Sequence, residues 1–202
     1  MMKKVIATTA LMAFGVVAAL GNSALAQSNR PTTEPNPTNR PANRSNSNQL
    51  SSFDTQFMAQ AAQSNMAEIA LSQLALRRAT SNEVKQYAQR MIQDHSQANA
   101  RLAQLARQKR VTLPTQLDAK HQAIRAQLEQ LSGERFDQEY MMAMENDHAE
   151  ATALFQNGAR QAQDRDVKAF ASTTLPKVQG HLQMVRTMTG NSSPQNQNSG
   201  QR

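Results

Sequence analysis

The stretch from Val84 to Leu105 alternates steps of four and three residues without a break. Apolar side chains and one histidine occupy these steps, in the order Val84, Ala88, Met91, His95, Ala98, Leu102 and Leu105. The spacing places all of them on one face of an α-helix, and a face of this kind is buried against other helices. Other stretches of the chain repeat the pattern, each with an ionisable residue near its middle. The pattern therefore predicts a helical bundle with polar side chains inside it.

The same periodicity predicts an all-α domain at residues 50–189. We expect main helices at residues 50–79, 80–110, 134–163 and 164–189, and a shorter connector helix within residues 115–131. Thr80 followed three residues later by Glu83 is a capping box, so the first two helices should be antiparallel neighbours joined by almost no loop. The connector is long enough to cover about 25 Å. That length favours a ferritin-like four-helix bundle, with a long crossover between the second and third main helices, over an up-down-up-down bundle.

The first 26 residues have the features of a secretory signal peptide. Two lysines precede an apolar run at residues 5–20, and Ala24-Leu25-Ala26 forms a cleavage site. The run is short for a transmembrane helix, which argues against the alternative of an uncleaved anchor. The chain has no cysteine for lipid attachment. We therefore expect an exported protein, located in the periplasm or associated with the outer membrane.

Two polar segments, residues 27–49 and 190–202, flank the predicted domain. The first is rich in Asn, Pro, Ser, Thr and Arg, the second has a similar polar composition, and both have almost no large apolar side chain. Segments of this composition bury too little apolar surface to fold, so we expect a disordered linker and a disordered tail. Because the chain has no cysteine, the domain between them must be stable through packing without disulfide bonds.

The charge of the chain limits its partners. The formal net charge is +7, but residues 50–189 hold 16 basic and 14 acidic side chains, a difference of only +2. Nucleic-acid binding requires a concentrated basic face, so we expect no nucleic-acid partner. An unknown envelope protein or a second copy of the chain remains as a partner. Membrane contact is compatible with the sequence, although no continuous apolar outer face indicates it.

Four ionisable residues fall at similar heights in the predicted bundle. Glu68 and His95 lie about 19 and 22 Å from the turn between the first two helices, at about 1.5 Å per residue. His148 and His181 lie about 23 and 26 Å from the turn between the last two. Because the helices are about 42 Å long, all four residues are near mid-height whichever way each pair points. We therefore expect a polar layer in the middle of the bundle.

This layer has some features of a di-iron site. Di-iron bundles use one Glu from each of two helices and a Glu-x-x-His motif from each of the other two. Glu145 and His148 match that motif, but Ile92 and Val178 occupy the corresponding positions before the other two histidines. The di-iron set is therefore incomplete, and the sequence does not favour ferroxidase or oxygen-activating chemistry.

A mononuclear site is the remaining metal hypothesis. Its candidate ligands are the acidic and imidazole side chains of Glu68, His95, Glu145, His148 and His181. Donors of these kinds accommodate Fe, Zn, Mn or Cu. Asp94, Asp147 and Glu145 are candidates to orient the imidazoles. An equally open alternative is a polar layer that holds no metal and only determines the packing register.

A set of short motifs adds a family resemblance. They are Asp94-His95 with Asn99, Leu131-Ser132-Gly133 before Phe136-Asp137 and Tyr140, His148 before Phe155, and Leu175-Pro176 with His181-Leu182. In this order they resemble a bacterial family of exported ferritin-like proteins of unknown function, often labelled outer membrane proteins. The resemblance covers about residues 52–188. It implies a ferritin-like bundle and export, and it implies no established activity.

No catalytic motif accompanies these features. The sequence has no nucleophile–base set, no Gly-rich phosphate loop and no His-Glu-x-x-His run, so we do not expect an enzyme. The first functional hypothesis is a non-enzymatic exported bundle that acts through protein contacts or stress protection. The second is a metal-binding or redox bundle that uses the polar layer.

Overall fold

The computed structural model describes residues 50–190, and the predicted signal peptide, linker and tail lie outside this range apart from Gly190. Within the range the chain forms five helices and no strand: α1 (Ser52–Arg78), α2 (Asn82–Lys109), α3 (Ala119–Glu129), α4 (Gly133–Gln161) and α5 (Arg165–Thr189). None of these helices combines the length and apolar character that crossing a lipid bilayer requires. The prediction of an all-α bundle is confirmed for the described residues.

Side-chain caps determine where most of the helices begin. The capping residues of α1, α2, α3 and α5 are Ser51, Ser81, Asp118 and Asp164. Each accepts a backbone N–H that has no partner inside its helix. The predicted cap at Thr80 is wrong by one residue, because the Thr80 hydroxyl donates instead to Asp137 Oδ2 at 2.7 Å. Ser81 therefore caps α2.

Contacts at the two ends of the bundle determine the directions of the helices. At one end, Asp54 near the start of α1 accepts a hydrogen bond from the Asp164 N–H, just before α5. Lys109 at the end of α2 pairs with the same Asp164 at 2.7 Å. At the other end, Asp137 near the start of α4 accepts the Ser81 N–H at 2.8 Å. Consequently α2 and α4 run in the same direction, and the connector carries the chain from one end of the bundle to the other.

The four long helices form two antiparallel hairpins, α1–α2 and α4–α5, that pack side by side. In this arrangement α1 lies next to α4 and α2 lies next to α5. The connector containing α3 crosses the outer side of α1 and α4. It is attached there by a hydrogen bond of 3.0 Å from the Asp118 N–H to Gln63 Oε1 and by the buried side chain of Leu128.

Two apolar clusters fill the bundle on either side of a polar layer. The cluster near the turn between α1 and α2 includes Leu71, Met91 and Tyr140. The cluster at the opposite end includes Phe57, which packs edge-on against Phe155 with 5.5 Å between ring centroids. The buried polar residues of the layer are Asn65, Glu68, His95, His148 and His181. The interior is therefore apolar towards both ends and polar in the middle.

Candidate metal centre

His95 from α2, His148 from α4 and His181 from α5 meet in the middle of the bundle. The ring centroids are 5.5 Å apart for His95 and His148, 5.3 Å for His95 and His181, and 5.4 Å for His148 and His181. One potential ligand nitrogen from each ring lies within 4.8 Å of those from the other two. All three side chains are buried. We call these residues the histidine triad.

Hydrogen bonds to oxygen atoms orient His95 and His148. His95 Nδ1 lies 3.0 Å from Asn65 Oδ1, and His148 Nδ1 lies 2.8 Å from the Met144 carbonyl oxygen. These oxygens carry no hydrogen, so each Nδ1 must donate its N–H. In the neutral ring, Nε2 then carries the lone pair.

Asp94 orients His181 from the solvent side. His181 Nε2 donates to Asp94 Oδ2 at 2.9 Å, and Asp94 Oδ1 accepts from Lys177 Nζ at 2.9 Å. Burial disfavours the Asp94 carboxylate, yet the hydrogen bonds from Lys177 and His181 hold its pKa below the usual value. In the neutral His181 ring, Nδ1 therefore carries the lone pair.

The remaining nitrogen of each ring has no hydrogen-bond partner among the described residues. These buried atoms are His95 Nε2, His148 Nε2 and His181 Nδ1. They are the same nitrogens that the outer hydrogen bonds leave unprotonated. Each ring of the triad therefore keeps one unpaired imidazole lone pair in the buried interior.

The protonation of the triad follows from its burial. Burial, followed by the charges of the other two histidines, lowers the pKa of His95 well below its usual value. Burial, followed by the charge of His181, lowers the pKa of His148 to about 4. Burial also lowers the pKa of His181, although Asp94 opposes the shift. Near neutral pH the rings are thus in the neutral form that binds metal ions.

Glu68 on α1 lies beside the triad. Its Oε1 is 3.4 Å from His148 Nδ1, which is the nitrogen that donates to Met144 and not the unpaired one. The carboxyl group is buried, and neither oxygen has a hydrogen-bond partner among the described residues. Burial, reinforced by the charge of Asp147, raises the pKa of Glu68 well above its usual value. The structure therefore places Glu68 in the layer but outside the metal-capable group, which contains only the three histidines in the described part of the chain.

Glu145 and Asp147 also lie outside that group. The Glu145 carboxylate accepts hydrogen bonds from Arg186 Nε at 3.3 Å and from Thr189 Oγ1 at 3.1 Å, near the end of α5. Asp147 faces the connector, where it accepts from Lys120 Nζ at 2.9 Å. Of the three acidic residues expected to orient imidazoles, Asp94 therefore contacts a ring of the triad. Asp147 pairs with Lys120 and lies 3.6 Å from the ring of His121 on α3, which is outside the triad.

Comparison with known protein families assigns the chain to one of them. A family model described as "Domain of unknown function (DUF4142)" matches residues 39–188, which include the triad and nearly all of the helical domain. The chain belongs to the DUF4142 family. The expected resemblance to a family of unknown function is confirmed to that extent, and export and the ferritin-like classification remain predictions. None of the curated proteins matches this DUF4142 chain.

A solved structure resembles the DUF4142 domain. It is the crystal structure of a DUF305 fragment from Deinococcus radiodurans, which matches with a TM-score of 0.64 and 15% sequence identity. The match covers 71% of this chain and 99% of the fragment. At this level of identity the likeness shows a shared fold alone.

The sequence analysis missed three groups around the triad of the DUF4142 domain. Asn65 lies three residues before Glu68, so the helical period alone places it on the inner face of α1. The Met144 carbonyl is a backbone atom, and no side-chain pattern predicts its use. Tyr87 has a ring centroid 6.4 Å from that of His148 and a buried hydroxyl without a partner among the described residues. Tyr87 lies three residues after Val84 and four before Met91, so the helical period predicts a core position for it and gives no sign of a role at the triad.

The triad has the donor set of a mononuclear metal centre. Neutral imidazole is a common protein ligand for Zn, Cu and Fe ions. An ion bound at about 2.0–2.1 Å requires nitrogen separations of about 3.4 Å, so inward shifts of less than about 1 Å would complete the set. Three protein ligands leave a further coordination position for water or a small ligand.

Proposed function

We propose that the DUF4142 domain of this chain binds one divalent transition-metal ion through His95, His148 and His181. Two observations carry the proposal: one nitrogen from each of the three buried imidazoles lies within 4.8 Å of those from the other two, and each ring keeps one nitrogen without a hydrogen-bond partner among the described residues. Each ring is also held by an oxygen atom on its opposite side, so the lone pairs are oriented before any ion arrives. Preorganised imidazoles of this kind are typical of metal sites.

The alternative of a purely structural polar layer is less consistent with this geometry. A buried polar atom without a partner costs about 1–3 kcal/mol, so a layer that served packing alone would pair its ring nitrogens with donors. The triad does the opposite, because one nitrogen of each ring donates to an oxygen atom and the other nitrogen has no donor among the described residues. A single cation satisfies all three unpaired nitrogens at once.

The donor set narrows the choice of metal. Imidazole suits Zn, Cu and Fe ions, whereas Mn prefers carboxylate and water oxygens. The carboxylates of Glu68 and Glu145 lie outside the triad, which also argues against a dinuclear centre. We therefore favour one Zn, Cu or Fe ion over Mn. Such an ion supplies Lewis acidity when bound, and Cu or Fe also supplies one-electron chemistry.

We further propose that the bundle is ferritin-like and that it works after export. The two hairpins joined by a full-length crossover support the first point. The signal-peptide features of residues 1–26 support the second. The hypothesis of protein contacts or stress protection stays a prediction, and a metal site is compatible with it.

Metal analysis of the purified chain tests the proposed site. After loading with Zn²⁺ and desalting, the unaltered chain should retain one equivalent, and His148→Ala should retain none. His121→Ala is the matched control, because His121 lies on α3 outside the triad. Its Nδ1 is hydrogen-bonded to Asp118 Oδ1 at 2.8 Å. Equal retention by the two variants would contradict the proposal, and so would the absence of retention by the unaltered chain.

A further inference from the structure

His181 connects the triad to the surface. Its outer nitrogen donates to Asp94, whose side chain is 12% exposed, and Asp94 pairs in turn with Lys177, which is 47% exposed. On the other side of the layer, the side chains of His148 and Glu68 are 0% and 1% exposed. The contacts that lead from the triad to solvent therefore run through His181 and Asp94.

These contacts lie on the seam between α2 and α5. The two helices approach each other less closely than the other neighbouring long helices do. A cavity of about 480 Å³ opens on the same seam, with Tyr87, Arg90 and Met184 among its lining residues. Arg90 is four residues from Asp94, so the cavity is one helical turn away from the Asp94 carboxylate. The seam is thus wide and carries a cavity one helical turn from the contacts of the triad.

The opposite face of the bundle offers a less direct approach. A cavity of about 530 Å³ lies between the connector, α1 and α4, and Lys120 and Asp147 are among its lining residues. No residue of the triad lines the cavity at the seam, and none lines this one. Behind its wall are Glu68 and His148, both almost completely buried. An ion entering there would have to displace packed side chains.

We infer that the metal ion enters and leaves the triad across the seam between α2 and α5, where Asp94 attracts the ion and Lys177 repels it. The inference rests on the proposed function and adds the route and its control. Asp94 is a carboxylate that touches a triad ring from solvent, so an incoming cation meets its oxygens before it meets the imidazoles. Lys177 occupies one of those oxygens and places a fixed positive charge at the entrance.

The effect of this charge on the rate can be estimated from Coulomb repulsion. A divalent ion that passes about 8 Å from an ammonium group in water is slowed on the order of five-fold. Salt screens interactions between exposed charges, so the effect should shrink as ionic strength rises. Removing Lys177 should therefore speed both entry and exit without changing the ligands.

Stopped-flow measurement of Zn²⁺ uptake from a chromophoric chelator tests the route. At low ionic strength, Lys177→Met should raise the association rate on the order of five-fold, and Asp94→Asn should lower it by a similar factor. In about 0.5 M salt both differences should largely disappear. The matched control is Lys120→Met, because Lys120 is 44% exposed, pairs with Asp147 and Glu150, and lies at the other cavity.

The outcomes separate this inference from the proposed function. Equal association rates for Lys177→Met and Lys120→Met would overturn the seam route. Faster entry in Lys120→Met alone would overturn it as well, and would place the route at the connector. Failure of the unaltered chain to bind Zn²⁺ at equilibrium would overturn the proposed function itself, and it would be evident before any rate is measured.

Discussion

At the scale of single residues, one hydrogen bond per ring decides what the triad offers to a ligand. A neutral imidazole has one N–H and one lone pair, and the partner of the N–H determines where the lone pair lies. Asn65, Met144 and Asp94 supply these partners from a side-chain amide, a backbone carbonyl and a carboxylate. The identity of each partner therefore matters as much as the histidines themselves.

The Asn65 contact provides a direct test at this scale. Asn65→Ala removes the acceptor of the His95 N–H, so the ring loses its fixed tautomer and orientation. We expect metal affinity to fall about 10–100-fold, as it does when outer partners of ligating histidines are lost. Competition titration with a chelator measures the change. Gln60→Ala, an exposed change on the same helix, should leave the affinity unaltered.

The buried histidines also make the stability of the metal-free chain depend on pH. The pKa of His148 is about 4 in the folded chain and about 6.5 when the chain is unfolded. Between these values the unfolded chain binds more protons, so the free energy of unfolding increases with pH in that window. Glu68 acts in the opposite sense, because its pKa is raised in the folded chain.

Chemical denaturation in a chelator between pH 7 and pH 4 measures these contributions. Lowering the pH should destabilise the unaltered chain relative to His148→Gln by on the order of 2–3 kcal/mol. Glu68→Gln should make the acid loss steeper, since it removes the group that gains stability from its proton. Parallel profiles for the unaltered chain and His148→Gln would show that His148 is not buried in neutral form.

At the scale of helices, close packing restricts what each position tolerates. Gly158 on α4 faces the ring of Phe57 on α1, and a Cβ built there would lie 2.5 Å from Phe57 Cε2. Gly180 on α5 has no such neighbour, since a Cβ there would meet nothing within 4 Å. Gly158 therefore permits α4 to approach α1 closely. Gly180 is exposed and lowers the stability of α5, because glycine is a poor helix former.

Alanine at these two glycines should have opposite effects on the free energy of unfolding. Gly158→Ala should lower it by about 1–3 kcal/mol, because Phe57 must move within a packed core. Gly180→Ala should raise it by about 0.5–1 kcal/mol, because alanine is the better helix former and no contact is disturbed. Urea denaturation of both variants compares them, and a loss of stability in Gly180→Ala would contradict the packing described for α5.

The junction between the hairpins depends on Asp137. Its carboxylate accepts the Thr80 N–H at 3.1 Å, the Thr80 hydroxyl at 2.7 Å and the Ser81 N–H at 2.8 Å. Asp137→Ala leaves these donors unpaired, so we expect a loss of about 2–4 kcal/mol. Gln138→Ala, at an exposed neighbouring position, is the control for thermal and chemical denaturation. Similar losses in both variants would show that the carboxylate contributes little.

At the scale of the whole molecule, the histidine triad joins three of the four long helices at one level. His95, His148 and His181 come from both hairpins, so an ion bound between them would cross-link α2 to α4 and α5. Because the unfolded chain does not hold these residues together, metal binding would favour the folded state by mass action. The site and the stability of the bundle are thus linked.

Metal loading should therefore stabilise the whole domain. At a free Zn²⁺ concentration about 100 times the dissociation constant, the free energy of unfolding should rise by about 2.7 kcal/mol. A chelator should reverse the gain, and His148→Ala should not show it. Thermal denaturation with and without Zn²⁺ measures the effect, and an equal shift in His148→Ala would assign the stabilisation to other residues.

Much of this architecture is predictable from local patterns. The steps of three and four residues predicted each long helix, since the helical period is a property of neighbouring residues along the chain. The start of α2 was predicted less well, because the Thr80 hydroxyl donates to Asp137, a residue far away in the sequence. The directions of the helices also could not be read from local patterns, because they follow from contacts between helix ends that are far apart in the sequence.

The sequence by itself determined that the chain forms long amphipathic helices and that three histidines and Glu68 lie near mid-height. Helix length and residue number are sufficient for that conclusion, because the rise per residue is constant. Only the tertiary structure decided that His95, His148 and His181 form one group, that Glu68 and Glu145 lie outside it, and which nitrogen of each ring is unpaired. Those features depend on partners on other helices, such as Asn65 for His95 and Asp94 for His181, and no local pattern encodes them.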